Sequence, residues 1–145
     1  MFDVIIVASG KSQRAGLDKL SFDLNGQSIL HRTINAFEGI ANINNIIVVT
    51  DKKIDNKPNI TVISGGCTRS DSVKCGLEIV KSPYVLIHDG ARPFISKNLI
   101  ENIMLSTIKY NSCVPYLKLT DSIRCIENNR LTDSFDREKT ACVQT

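Results

Sequence analysis

Three cations, Lys11, Arg14 and Lys19, are interleaved with small and polar residues in Ser9-Gly10-Lys11-Ser12-Gln13-Arg14-Ala15-Gly16-Leu17-Asp18-Lys19. Such a stretch suits the holding of a phosphate, because small side chains let backbone N–H groups approach an anion while fixed cations supply charge. The spacing is not the Walker pattern, which needs Gly-Lys-Ser/Thr after four intervening residues. Nor is it a clean GxGxxG, since Ser12 stands where the second glycine would be. An ordinary strand-to-helix turn with solvated cations is the alternative for this loop taken alone.

Two further stretches carry residues of related chemistry. Gly65-Gly66-Cys67-Thr68-Arg69-Ser70-Asp71-Ser72 reads either as a tight turn with a helix cap or as a surface on which backbone groups and Ser72 read the edge of a base. His88-Asp89-Gly90-Ala91-Arg92-Pro93 places an aspartate directly after an apolar run. A carboxylate there can hold Mg²⁺ through oxygen, and Arg92 suits a phosphate group. His88 reads as structural rather than catalytic.

The elements that must position these loops follow from periodicity. Val4-Ile5-Ile6-Val7-Ala8, Ile46 to Val49, Ile60 to Ile63 and Tyr84 to Ile87 are short β-branched or apolar runs, predicted as buried strands. Between them lie helices predicted to be capped by Ser28, Thr68 and Ser96. The first carries Ile29, Leu30, Thr33, Ile34 and Phe37; the second carries Val73, Leu77 and Val80. The third carries Leu99, Ile100, Ile103, Met104 and Ile108 on one side. Asn25-Gly26 marks a turn. Strand-loop-helix repeated in this way predicts an α/β fold, a mostly parallel sheet with helices on both faces. In such sheets ligands sit beyond the carboxyl ends of the strands, so the three loops are expected to converge at one edge. The tail differs in character. Cys113 to Tyr116 is expected as a fifth strand, and Asp121 to Ile126 with Leu131 to Phe135, turning at Asn128-Asn129, as a hairpin. An isolated hairpin is marginal in water, so it is expected to pack on something, such as a second copy of the chain.

Length and composition suit one domain of residues 1–145 with an ordinary hydrophobic core. A net charge of +3, with no lysine-rich run, gives no reason to invoke nucleic acid. Five cysteines without CxxC spacing or a Cys/His cluster read as reduced thiols, not as a disulfide frame or zinc site. The N-terminus lacks a basic n-region, and no apolar run approaches the ~20 residues of a membrane span. A soluble cytoplasmic chain is expected.

With all three loops in view, the order ASGKSQR, GGCTRSDSV, HDGARPF, DSI, DR and QT resembles the 2-C-methyl-D-erythritol 4-phosphate cytidylyltransferase family along essentially the whole chain. HDGARPF favours it over the related ribitol-5-phosphate cytidylyltransferases, which tend to read HDSVRPF and which stand as the same-class alternative. The resemblance implies a Rossmann-like nucleotidyltransferase that transfers CMP from CTP to methylerythritol phosphate, with Mg²⁺ as cofactor. It implies Arg14 and Lys19 as stabilisers of the triphosphate in the transition state. It puts Ala8, Ser9, Gly10, Lys11, Ser12, Gly65, Gly66 and Ser72 around the nucleotide, and Asp89 at the metal and α-phosphate. Arg92, Ser122 and Arg137 are implied at the sugar phosphate, with Ser122 where the family has threonine. An arm at about residues 120–138 would cross to a second subunit, so that Arg137 joins the catalytic set of its neighbour.

This sequence departs from the family's pattern in its shortened first loop, in Asp18-Lys19-Leu20 for Pro-Lys-Gln, and in Ser12 for a glycine. It also stops at Gln144-Thr145, where the family continues through a part carrying a second metal-binding carboxylate and a second lysine. A fragment of the enzyme, or a homologue without the activity that only binds nucleotide or dimerises, is therefore weighed beside the enzyme. A dinucleotide-binding oxidoreductase is disfavoured, because no acidic residue is placed convincingly ~20 residues beyond a GxGxxG.

Overall fold

The central strand β1 (Phe2–Val7) is flanked on both sides and covered on both faces, as its unbroken apolar run requires. A computed structural model of the protein describes residues 1–10, 18–55 and 57–144. Strands β2 (Ile43–Val49), β3 (Ile60–Ile63) and β4 (Tyr84–Asp89) complete a parallel sheet of order β3-β2-β1-β4. The carboxyl ends lie level, with Val7 opposite both Val49 and Asp89, and Val49 opposite Ile63.

Alternation along the strands divides the core in two. Phe2, Val4, Ile6, Ile46 and Val48 face helix α1 (Ile29–Phe37) and helix α3 (Lys97–Tyr110) through Leu30, Ile34, Phe37, Ile100 and Met104. Ile5, Ile47 and Val49 face the other side, where helix α2 (Arg69–Leu77) and the residues after it lie. Gly76 allows that helix to sit close, since a Cβ there would come within 2.9 Å of the Ile5 side chain. Helices therefore cover both faces, as the pattern predicts. All three expected caps form: Ser28 accepts from the His31 N–H, Ser96 from the Leu99 N–H, and Thr68 and Asp71 make a reciprocal capping box. Val80 lies beyond the end of α2 yet still packs on the sheet. Ile108 is 54% exposed, because the inward stripe of α3 runs through Ile100, Met104 and Thr107.

The tail departs further from expectation. The fifth strand, β5, is Tyr116–Lys118 rather than Cys113 to Tyr116, its start displaced past Pro115. It pairs antiparallel with an unforeseen strand of residues Ala141–Val143, outside the main sheet. The hairpin forms with strands β6 (Arg124–Glu127) and β7 (Arg130–Ser134), so Ala141–Val143 is β8. Asn128 and Asn129 have φ of 49° and 61°, the pair of positive values that a tight hairpin turn needs. Ile126 and Leu131 face each other across it, both 70% exposed. Among the described residues no helix is long and apolar enough to cross a membrane.

Asp3 pins the opposite end of β1. It is 1% exposed, and its carboxylate accepts from the Lys81 and Ser82 N–H groups at 2.7 and 3.1 Å, from the Ser82 hydroxyl at 2.8 Å and from Asn44 Nδ2 at 3.3 Å. Burial alone would raise its pKa; the donors outweigh it, Lys81 N–H foremost, and the pKa is lowered. Because the folded value lies below the unfolded one, the stabilisation is complete above the ordinary carboxylate pKa of about 3.9. It is lost as pH falls through the folded value. Asp3→Asn is expected to lower unfolding free energy by about 1–3 kcal/mol at neutral pH. Urea melts should find the gap between the two proteins closing in acid.

Candidate active site at the carboxyl ends of the strands

One residue past β1, β2 and β4, the backbone ladder continues. Ala8 N–H donates to the Val49 carbonyl at 2.8 Å, Gly90 N–H to Val7 at 2.9 Å and Thr50 N–H to Ile63 at 2.8 Å. These bonds keep the loop entrances level, so the residues that follow start from one plane. Gly90 sits where a Cβ would come within 2.8 Å of the Ala8 Cβ. Its carbonyl accepts from the buried Thr33 hydroxyl of α1 at 2.9 Å.

The first and second loops meet at a pair of hydroxyls, Ser9 Oγ and Ser72 Oγ, 2.7 Å apart. Ser72 donates to the Thr68 carbonyl at 2.9 Å and accepts from the Gly66 N–H at 3.2 Å, so the shared proton comes from Ser9. Ser72 is 1% exposed. In the free chain its hydroxyl braces the Gly65-Gly66 turn from beneath. Both glycines are sterically required. A Cβ on Gly65 would stand 2.3 Å from Ser9 Cβ and Oγ, and one on Gly66 would stand 2.4 Å from Asp71 Cβ. At Gly10, by contrast, none of the described residues comes within 4 Å of an added Cβ.

The second and third loops meet at an ion pair. Arg69, on the first turn of α2, donates from Nε at 3.1 Å and Nη2 at 2.9 Å to Asp89 Oδ1. Arg92 Nε donates to the other oxygen at 3.2 Å, and its Nη1 donates to Gln144 Oε1 at 2.8 Å. Arg69 and Gln144 escape a reading of the sequence. Only the coincidence of α2's start with the end of β4, in a fold where both lie at one edge, marks Arg69 as a neighbour of Asp89. His88 is 4% exposed, donates from Nε2 to the Arg92 carbonyl at 3.0 Å and stands edge-on to Phe37. Burial pushes its pKa down, so it is the neutral imidazole that shapes the 88–92 turn.

The remaining predicted residues divide. Lys11, Ser12 and Arg14 lie outside the described residues. Lys19 opens a 3₁₀ turn, Lys19–Ser21; it is exposed and has no ion-pair partner among the described residues. Ser122 is exposed at the base of the hairpin, and Arg137 donates to the Thr120 carbonyl at 3.2 Å. No hydrogen bond or ion pair among the described residues links either to the strand-end loops. A groove of about 1230 Å³ runs from Arg69, Arg92 and Gln144 along the outer edge of β4 to α3 and Cys113 to Leu117. Its walls are mostly apolar away from the two arginines, so its phosphate-like chemistry is confined to the strand-end mouth.

The family model for 2-C-methyl-D-erythritol 4-phosphate cytidylyltransferase (IspD) matches residues 2–145. The chain belongs to this family. The cytidylyltransferase of Clostridium botulinum is 38% identical over 160 residues, covering all of this chain and 71% of the relative. Two solved structures superpose on 99% of the chain. The synthase from Anaerococcus prevotii does so with a TM-score of 0.82 at 25% identity, over 68% of its own length. The cytidylyltransferase from Thermus thermophilus does so with a TM-score of 0.78 at 28% identity, over 67%. The Rossmann-like nucleotidyltransferase fold that the resemblance implies is thereby established, and family members are cytidylyltransferases.

For a cytidylyltransferase the contrast between two glycines is a direct test of which loop is tightly packed. Gly65→Ala is expected to cost about 1–3 kcal/mol of stability through overpacking and to weaken CTP binding. Gly10→Ala should leave the melting midpoint where it is. Thermal denaturation with calorimetric CTP titration checks both.

Proposed function

We propose that this chain transfers CMP from CTP to 2-C-methyl-D-erythritol 4-phosphate, a step of non-mevalonate isoprenoid biosynthesis. A phosphate oxygen of the polyol attacks the α-phosphorus of CTP, the bond from that phosphorus to the β-phosphate oxygen breaks, and pyrophosphate leaves. The observation that carries the reading is the joining of the three loops by Ser9–Ser72 and Arg69–Asp89 in a member of this family. Phosphoryl chemistry of this kind asks the protein chiefly for positioning and for cations where charge gathers.

In this reading Ala8, Ser9, Gly10, Gly65, Gly66 and Ser72 surround the nucleotide, Ser72 also bracing the Gly65-Gly66 turn. Lys11, Ser12, Arg14 and Lys19 serve the triphosphate, and Arg92 serves the polyol phosphate. Asp89 is the carboxylate at the end of β4, held between two guanidiniums. Among the described residues no group of three or more His, Cys, Asp or Glu gathers. One carboxylate fits a Mg²⁺ that keeps waters and substrate phosphates as its other ligands, not a cage made by protein alone. When bound, the ion would neutralise phosphate charge.

Ser122 and Arg137 serve the substrate phosphate in this reading, Arg137 that of a second copy on which the hairpin is laid. The largely exposed pair Ile126 and Leu131 supports that arrangement, offering apolar surface left open by the described residues of one chain. The five cysteines are free, which suits the reducing cytoplasm.

Pyrophosphate release, followed with CTP and a panel of polyol phosphates, tests the reaction. Methylerythritol phosphate should be turned over and ribitol 5-phosphate should not. Lys19→Ala is expected to lower kcat by about 100-fold while leaving the melting midpoint unchanged, because the side chain is exposed. Activity at the parental level would remove Lys19 from the site. Leu131→Glu should convert a dimer into a monomer in sedimentation velocity, with the monomer as well folded by circular dichroism.

A further inference from the structure

Lys52 lies in the connection after β2 and has no place in the reaction proposed above, yet it touches the far end of the phosphate loop. Its ammonium makes an ion pair with Asp18 and donates to Ser21 Oγ at 2.8 Å, while the Ser21 hydroxyl donates to Asp18 Oδ2 at 2.7 Å. Its own N–H donates to Thr50 Oγ1 at 3.2 Å. That same hydroxyl donates to the Ala8 carbonyl at 3.1 Å, and Thr50 is 3% exposed. The short run from Thr50 to Lys52 therefore grips Ala8, where the loop leaves β1, and Asp18, where it ends.

We infer that Thr50 to Lys52 is a clamp joining the two feet of the phosphate loop, with Lys52 a positioning residue that sets the direction of Lys19. The inference rests on the role proposed for Lys19. Adjacent to Asp18, Lys19 starts the 3₁₀ turn in which the Ser21 N–H donates to the Asp18 carbonyl and the Phe22 N–H to the Lys19 carbonyl. Fixing Asp18 fixes the backbone from which the lysine projects. The Lys52 side chain is 31% exposed and that of Asp18 50%. A pair so open to water contributes little to global stability, so its consequence is local geometry. Hydrogen bonds from Lys52, then from Ser21, hold the Asp18 carboxyl below its ordinary pKa, so the clamp stays closed across the neutral range.

The backbone at Asp18 has φ of −74° and ψ of 85°, a φ that proline adopts without strain. A proline there would stiffen the same foot with no ion pair at all. The experiment compares D18A, K52M, K52R, the double variant D18A/K52M and the rescue variant D18P/K52M. It reads kcat and KM for both substrates, the melting midpoint, and amide exchange at Ser21 and Phe22. D18A and K52M are each expected to lower kcat about tenfold, within the range that small misplacements of a catalytic group produce. KM and melting midpoint should barely move, exchange at both amides should quicken, and the double variant should be no worse than either single one. K52R and D18P/K52M should recover most of the rate. Additive losses in the double variant would mean that Lys52 acts on the substrate directly, and a parental rate in D18A would likewise overturn the clamp. If the parent chain itself releases no pyrophosphate, the proposed reaction falls. Exchange then decides the clamp alone: faster at Ser21 and Phe22 in K52M supports it, unchanged refutes it.

Discussion

The level alignment of β1, β2 and β4 at their carboxyl ends is the constraint on which the rest of the molecule depends. Val7 faces Val49 and Asp89, and every residue that leaves the sheet toward the site does so from that row. Hydrophobic alternation does not secure this register, because β1 is apolar on both faces and a slip by one residue would still bury it. Polar and steric pins do so. At one end Asp3 is saturated by the amides of Lys81 and Ser82, a match that a slipped β4 would break. At the other, Gly90 lies against Ala8 with no room for a side chain. The cost of leaving a buried carboxylate unpaired is what turns an ambiguous pattern into one register.

Much of the fold is legible in the sequence, because its determinants are local. β-branched runs mark β1 to β3, and Ser28, Thr68 and Ser96 each mark a helix start through bonds that span only three residues. Asn128-Asn129 marks its turn by tolerating positive φ. What escapes is long-range and short in extent. β8 is three residues, Ala-Cys-Val, too brief for any periodicity, and it exists only because β5 is there to pair with it. Strand β5 starts late because Pro115 precedes it. The inward stripe of α3 is narrower than its apolar count suggests, leaving Leu105 and Ile108 outside.

The site was legible in its parts but not in its wiring. That three loops share one edge follows from topology. Which side chains join them does not, since Arg69 and Asp89 are 20 residues apart and Ser9 and Ser72 are 63 apart. Lys52 reads as one more solvated lysine in a polar connection until the fold lays it beside Asp18. Ser72 is a further case: the sequence offers its hydroxyl, and the fold supplies the partners it has in the free chain, Thr68, Gly66 and Ser9.

The arrangement around Asp89 illustrates how charge is kept in place at an open edge. Arg69 and Arg92 are each about half exposed, and free arginines so placed would sample many rotamers, at an entropic cost to any ligand that must order them. A carboxylate held at the end of a buried strand orders both in advance. Exposed pairs contribute too little to explain such an arrangement as stabilisation. Its effect is preorganisation: the entropy of fixing two guanidiniums is met during folding and not during binding. The close glycines add to this, because Gly65 and Gly66 let their turn pack directly on Ser9 and Asp71. In both cases the sheet supplies rigidity that the loops lack.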